Sequence, residues 1–262
     1  MGSLSDYSED IAMNLVFNAT AYSPVATVYL AVSTADPLDT GAGIAEPVAM
    51  GYIRKAIAFS TAAARASVQN GAVVYNQATG TWGDLTHYAV FDAETAGNML
   101  CHGAFSATKT IVSGKTLTVP TTQVVVSIDA GDMSTYLAHK LLNMFFFNTA
   151  YTAPAVYCGL AETTELTDDT TGTTVDDLDM TGYARQLVAA ADWGPSTAGV
   201  VTNTAAIDFG TLTGTGETIT AAFLADAITA GNILIYDNSQ NIAVVTGESV
   251  SYAIGAFTAT LT

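Results

Sequence analysis

The chain has 262 residues, half of them hydrophobic and 12% charged, with a formal net charge of -17. That balance repels phosphate and excludes nucleic-acid binding by a basic surface. The longest dense apolar stretch, around Leu141 to Phe147, is well short of the roughly 18–20 apolar residues a membrane span needs, and Asp6, Glu9 and Asp10 stand where a signal peptide would be basic.

In chain order, Ser5 and Ser8 are candidate caps for a first helix that carries Ile11, Leu15 and Val16 and stops near Asn18. The period then changes to two. Val28, Leu30 and Val32 face one way; residues 53–59, 73–75, 85–91, 99–105, 117–119 and 124–128 follow as short strands. The breaks between them carry Gly, Asn, Asp or Pro, as turns require. A boundary falls at Asp129-Ala130-Gly131-Asp132. Asp132 is the candidate cap of a second helix with Leu137, Leu141, Met144 and Phe145 at helical spacing, stopping near Asn148. Each helix has a single apolar stripe, which a sheet or a neighbouring subunit should cover. Phe257, Ala259 and Leu261 end the chain on a strand.

The second half repeats the first. Asn14-Leu15-Val16-Phe17 returns as Asn143-Met144-Phe145-Phe146, Gly51-Tyr52-Ile53-Arg54 as Gly182-Tyr183-Ala184-Arg185, and Ala96-Gly97-Asn98 as Ala230-Gly231-Asn232. Val112-Ser113-Gly114-Lys115 returns as Val245-Thr246-Gly247-Glu248. This period is far longer than the roughly 20–50 residues of a solenoid repeat. The chain therefore reads as mainly β: two tandem antiparallel β-sandwich, jelly-roll-like domains, residues 1–130 and 131–262, each opened by one helix. The short connector predicts a rather fixed angle between them. Charge divides unevenly, with five Lys/Arg and ten Asp/Glu in residues 1–130 against two and fourteen in residues 131–262.

Duplication also filters the candidates for chemistry. His87, His102 and His139 do not recur, and no Gly-x-Ser-x-Gly elbow, phosphate loop or dinucleotide fingerprint is present. Nor does a His/Cys set have zinc spacing. No catalytic residue, metal ligand or cofactor site is assigned. Cys101 aligns with Ile235 and Cys158 with Leu30, which suggests buried thiols rather than a disulfide. Glu162, Glu165, Asp168, Asp169, Asp176, Asp177 and Asp179 share one Thr/Gly-rich loop; calcium is bound by such oxygens, but the spaced calcium-loop pattern is missing, so a solvated loop or one facing a basic partner is favoured. Arg54 and Arg185 are a recurring charge, suited either to a structural ion pair or to an interface with an acidic neighbour. Tyr52, Tyr183 and Trp82 join them as candidate interface residues, and Trp82, Tyr22, Tyr151 and Tyr183 as either an aromatic sugar platform or packing.

The order of Asn14 to Phe17, Tyr22 to Leu30, Gly51-Tyr52-Ile53-Arg54-Lys55, Thr81-Trp82-Gly83-Asp84-Leu85-Thr86-His87-Tyr88, Gly97-Asn98-Met99-Leu100 and Val112 to Leu117 resembles a family of tailed-bacteriophage virion structural proteins often labelled phage tail fibre proteins. The second copy departs around residues 208–222, where an insertion of several residues is expected opposite Trp82-Gly83. The resemblance implies a β-rich, non-enzymatic virion component assembled in the host cytoplasm. The favoured expectation is a capsid cement or decoration protein whose two lobes bridge neighbouring capsid subunits. The alternative is a tail, collar or fibre component with a host-glycan-binding sandwich. Expected partners are the major capsid protein or other virion proteins, and further copies of the chain on a symmetry axis, with glycan under the alternative and neither nucleic acid nor membrane.

Overall fold

The computed structural model describes residues 2–129, 133–162 and 165–261. The first half runs β1 (Ser3–Leu4), α1 (Asp6–Asn18), β2 (Val28–Ser33), β3 (Lys55–Ile57), β4 (Ala66–Val68), β5 (Val73–Gln77), β6 (Gly83–Phe91), β7 (Met99–Ile111), β8 (Thr116–Val119) and β9 (Val125–Ser127). One layer is the antiparallel sheet β1-β7-β6-β2-β3; the other consists of the ladders β4–β9 and β5–β8. Alternation explains the layering: Val73, Tyr75, Leu117, Val119 and Val126 point into the core that Leu30, Val32, Leu85 and Tyr88 fill from the opposite layer.

The second half repeats this plan with α2 (Thr135–Phe146), β10 (Val156–Ala161), β11 (Gln186–Val188), a 3-10 turn (Ala190–Asp192), β12 (Val200–Thr202), β13 (Ile207–Thr211), β14 (Glu217–Ile219), β15 (Ala221–Ala225), β16 (Ile233–Asp237), β17 (Ile242–Val244), β18 (Ser249–Tyr252) and β19 (Thr258–Thr260). Its main sheet is β11-β10-β15-β16, and its second layer holds β12–β19 and β13–β18. The long hairpin β6–β7 is here divided into β15–β16 and a separate ladder, β14–β17. Registers agree between the halves: Leu30 opposes Val90 as Cys158 opposes Leu224. The chain is thus mainly β, in two antiparallel domains each led by a helix, as its periodicity predicts. Both cysteines are free and fully buried.

Ser5 caps α1, accepting from the Ser8 amide, and Ser134 caps α2, accepting from the Leu137 amide. Ser8 is therefore a donor to the cap, and Asp132 lies outside the described residues. Both cap hydroxyls also donate into the sheet, Ser5 Oγ to the Met99 carbonyl and Ser134 Oγ to the Ile233 carbonyl. Each cap therefore ties its helix to the strand after the Ala-Gly-Asn hairpin. There the left-handed residue is required: Gly97 and Gly231 have φ near +75°, and a Cβ on either would strike the carboxylate of Asp92 or Asp226.

The insertion expected in residues 208–222 is absent. Phe209 takes the place of Tyr75: Tyr183 stacks on Phe209 at 5.9 Å as Tyr52 stacks on Tyr75 at 6.0 Å. Leu212 donates to the Glu248 carbonyl as Ala78 donates to that of Lys115. Registration on Trp82 misplaces this segment, because the residue at the equivalent place is Gly216 and the aromatic has no counterpart.

Each helix is shared between the halves. α1 packs on β7 of its own half and on β12 and the 3-10 turn of the other, while α2 packs on β16 and on β4. Asn14 Oδ1 accepts from the Ser196 amide at 3.0 Å, and Asn143 Oδ1 from the Ala62 amide at 2.7 Å. Phe17 meets Trp193 at 4.8 Å, and Phe146 meets Phe59 at 5.0 Å. Asp10 Oδ1 accepts from the Gly199 amide at 3.1 Å, and His139 Nε2 from the Arg65 amide at 3.1 Å. Each pair is one contact made twice, so the halves are related by an internal pseudo-dyad. One continuous core contains residues of both. Asn143→Ala, which strands the buried-side Ala62 amide, is expected to cost about 1–2 kcal/mol, read as a lower midpoint of urea unfolding with an unchanged slope.

The symmetry is broken at Glu9. Glu9 is 5% exposed on α1 and lies against Gly199, where α2 presents Ala138. Burial first, then Asp39, Asp6 and Asp10, push its carboxyl up to about 7. A raised acid pKa means that the folded chain holds a proton which the unfolded chain has released. This stabilisation is full below the ordinary carboxylate pKa of about 4.3 and is lost as pH rises through about 7. Glu9→Gln is expected to flatten that decline and to gain on the order of 2 kcal/mol above neutrality, measured by denaturant unfolding across the pH range.

Candidate interaction surface

Arg54 and Arg185 each close the same polar node. Arg54 grips Glu46, with Nη2 to Oε1 at 2.6 Å, and its Nη1 donates to the carbonyls of Ala93 and Ala96 at 3.2 and 2.6 Å. Arg185 grips Asp177, with Nη2 to Oδ2 at 2.7 Å, and its Nη1 donates to Ala227 and Ala230 at 3.2 and 2.8 Å. Tyr52 and Tyr183 complete the nodes: their hydroxyls accept from the Val32 and Leu160 amides and donate to Glu46 and Asp177. Burial is the largest influence on both phenols and raises their pKa values. The flat guanidinium lies over an aromatic ring in both halves, but from different positions, Phe91 at 3.5 Å and Phe223 at 4.9 Å. The node anchors the Asp92–Asn98 and Asp226–Asn232 hairpins, in which each Asp accepts from its Asn.

Of the two roles open to the recurring arginines, the geometry matches the structural one: these guanidiniums point into the chain's own loops. Sequence reading missed Glu46 and did not pair Asp177 with its arginine, although each acid stands eight residues before its Arg, Glu46 before Arg54 and Asp177 before Arg185. It also missed Arg65, which donates to the carbonyls of Ile128, Asp129 and Met133 at 3.1, 2.6 and 2.6 Å and pairs with Asp168 at 3.3 Å. Arg65 thus clasps both ends of the connector. All three arginines of the chain are buried, leaving the four lysines as the other cations.

The aromatics are likewise internal. Trp82 is 4% exposed, donates Nε1–H to the Met50 carbonyl at 2.9 Å, and packs edge-on to Tyr52 and Tyr75. Tyr22 is half-buried against Phe145 of the other half, and Tyr151 packs at the margin of the core. No flat aromatic platform is formed by these residues. In the acidic loop, Asp177 serves Arg185, and Asp168 accepts from the Tyr236 hydroxyl at 2.6 Å. Burial and the neighbouring Glu217 push the Glu162 carboxyl up. Among the described residues, no three His, Cys, Asp or Glu side chains are grouped to hold a metal ion.

A groove of about 480 Å³ brings Ser3, His87, His102 and Asp36 together. His102 Nε2 lies 2.7 Å from Asp39 and 3.4 Å from the Ser3 hydroxyl. Asp39 therefore occupies the nitrogen that would have to activate Ser3, and the trio is not arranged as a hydrolytic triad. His139 lies in the contact between α2 and the first half described above.

What the chain does present is apolar loop surface. Loop residues 48–52, strand-end residues 78–80 and the turn 112–115 are tied together by bonds from Thr79 to Met50 and between Ala78, Lys115 and Gly114. Val48, Met50 and Val112 are exposed there. In the second half, Thr181, Leu212, Gly247 and Glu248 make the corresponding bonds, and Val245 takes the exposed place of Val112. β3 and β11 are edge strands of the two main sheets, with Leu187 60% exposed on β11. No helix among the described residues is long and apolar enough to cross a membrane.

No curated protein matches the chain. A family model does so twice: the one described as podophage GP4 fiber I protein gp80 covers residues 3–127 and again 132–260. The two matches fall on the two halves of the pseudo-dyad, and the chain belongs to this family of phage structural fibre proteins as a tandem duplication of its domain.

Proposed function

We propose that the chain is a non-enzymatic structural module of the phage's fibre apparatus, attached to neighbouring virion proteins through its two apolar loop clusters. The observation that carries this reading is the double match to a fibre family across both repeats. The polar nodes are occupied internally, so contact falls to the exposed loops around Val112 and Val245. The arrangement does not favour a glycan reader, because Trp82 and Tyr183 are committed to packing. Separating disrupted particles into heads and tail assemblies, with quantitative mass spectrometry of each, tests the assignment. Co-sedimentation with tails is expected; co-sedimentation with heads in fixed ratio to the major capsid protein would reject it.

The capsid-cement reading keeps one specific support. Val112 and Val245 occupy equivalent exposed places on two lobes, and two related tips suit two related surfaces, where bivalency multiplies weak contacts. Under either reading, Val112→Asp with Val245→Asp should leave the melting temperature within about 2 °C, since exposed substitutions cost within about 0.5 kcal/mol, and should reduce incorporation into particles at least tenfold.

A further inference from the structure

We infer that the face each half offers to the other's helix is a self-recognition surface, so that the chain is the covalently joined equivalent of a two-fold homodimer and the connector is dispensable for association. The basis is reciprocity. Asn14–Ser196 and Asn143–Ala62, Phe17–Trp193 and Phe146–Phe59, and Asp10–Gly199 and His139–Arg65 are three contacts each made twice with the roles of the halves interchanged. An interface in which residue i meets j while the equivalent of j meets the equivalent of i is isologous, the signature of a two-fold dimer. Two unrelated faces joined by a linker have no reason to pair in this way.

The occupant of each face is therefore the helix of a second repeat, supplied here by the same chain. Four inward residues of α2, Leu137, Leu141, Met144 and Phe145, are at most 1% exposed, although its own half covers the helix mainly through β16. Without the other half, the side of α2 that faces β4 and Phe59 would be bare. Both halves are acidic, so long-range electrostatics oppose their union and apolar burial drives it. The association should hold or tighten as salt rises, unlike one held by opposite charges.

The test uses the whole chain with a protease site placed in the connector at residues 130–132, cleaved after folding. The cleaved halves are expected to travel as one particle of the intact mass, 27.0 kDa, at low and at high salt, and to melt in one transition whose midpoint rises with protein concentration. Separation into two folded half-mass monomers, or dissociation on adding salt, would overturn the inference. Should the insertion prevent folding, hydrogen exchange on the unaltered chain decides: β4 and β12 amides opening together with equal free energy are expected, and one half exchanging fully while the other stays protected is the contrary result.

Discussion

Arg65→Ala is expected to be the most damaging single substitution outside the apolar core. The guanidinium is nearly enclosed and donates to three carbonyls, of Ile128, Asp129 and Met133. Truncation leaves those acceptors without their donor and releases Asp168 from its ion pair at 3.3 Å. Unsatisfied buried acceptors cost about 1–3 kcal/mol each, partly recovered by water, so a total of about 3–5 kcal/mol is expected, comparable with breaking a buried ion pair. The loss should have a second signature. Because Arg65 clasps both ends of the connector, the Ala variant should become sensitive to proteolysis near residues 128–133 while the strands of each half remain protected. Limited proteolysis with mass mapping, beside an unfolding curve, distinguishes this from general destabilisation. Arg65→Lys should recover little, since one ammonium group cannot reproduce a fork that reaches three carbonyls.

Arg185→Met is the second large expectation. The side chain of Arg185 is 2% exposed, and that of Asp177 is 34% exposed. Removing the guanidinium strands Asp177 beside Tyr183 and frees the carbonyls of Gly172, Ala227 and Ala230. A partly exposed carboxylate is screened, so the cost should lie near the low end of the range for broken buried pairs, about 3 kcal/mol. For a chain of this size that corresponds to a melting temperature lower by roughly 6–12 °C. The double variant Arg185→Met with Asp177→Asn should be less damaged than the sum of the two single changes, because the acid no longer carries an unpaired charge. Equal additivity in that cycle would contradict the node. The same cycle at Arg54 and Glu46 should give a similar coupling, since the two nodes share their geometry.

The extent to which the sequence disclosed this protein follows from what repetition can and cannot reveal. Strands were legible because Val28, Leu30 and Val32, or Val124, Val126 and Ile128, alternate without interruption; burial follows that alternation at residues 124–128, whereas in β2 the opposite-face Ala31 and Ser33 are buried as well. The turns at Ala96-Gly97-Asn98 and Ala230-Gly231-Asn232 were legible because the backbone there needs a left-handed residue. The sharing of each helix between the halves was not legible. An apolar stripe says that a helix is covered, but not by which sheet, and the clue was polar: Asn14 and Asn143 recur on the inward faces, where only a specific acceptor would be tolerated. Arg65 escaped because a search for recurring charge passes over a residue whose counterpart is Gly199. Trp82 misled for the converse reason: a conspicuous aromatic with no counterpart was used to register a segment whose true equivalence runs through Tyr75 and Phe209. The interface candidates Arg54, Arg185, Tyr52, Tyr183 and Trp82 were singled out by recurrence or size. In the structure Arg54, Arg185 and Trp82 are buried and Tyr52 and Tyr183 half-buried, and an exposed recurring position is the modest Val112 and Val245.

A cryo-electron-microscopy map of the intact particle tests most directly the claim that this is a fibre module built as an internal pseudo-dimer. Two-lobed β-rich density is expected at the fibre or its attachment, with α1 and α2 each packed between the lobes and the loops carrying Val112 and Val245 against neighbouring chains. Copies distributed over the head lattice would contradict the fibre assignment, and lobes whose helices make no contact with the other lobe would contradict the pseudo-dimer.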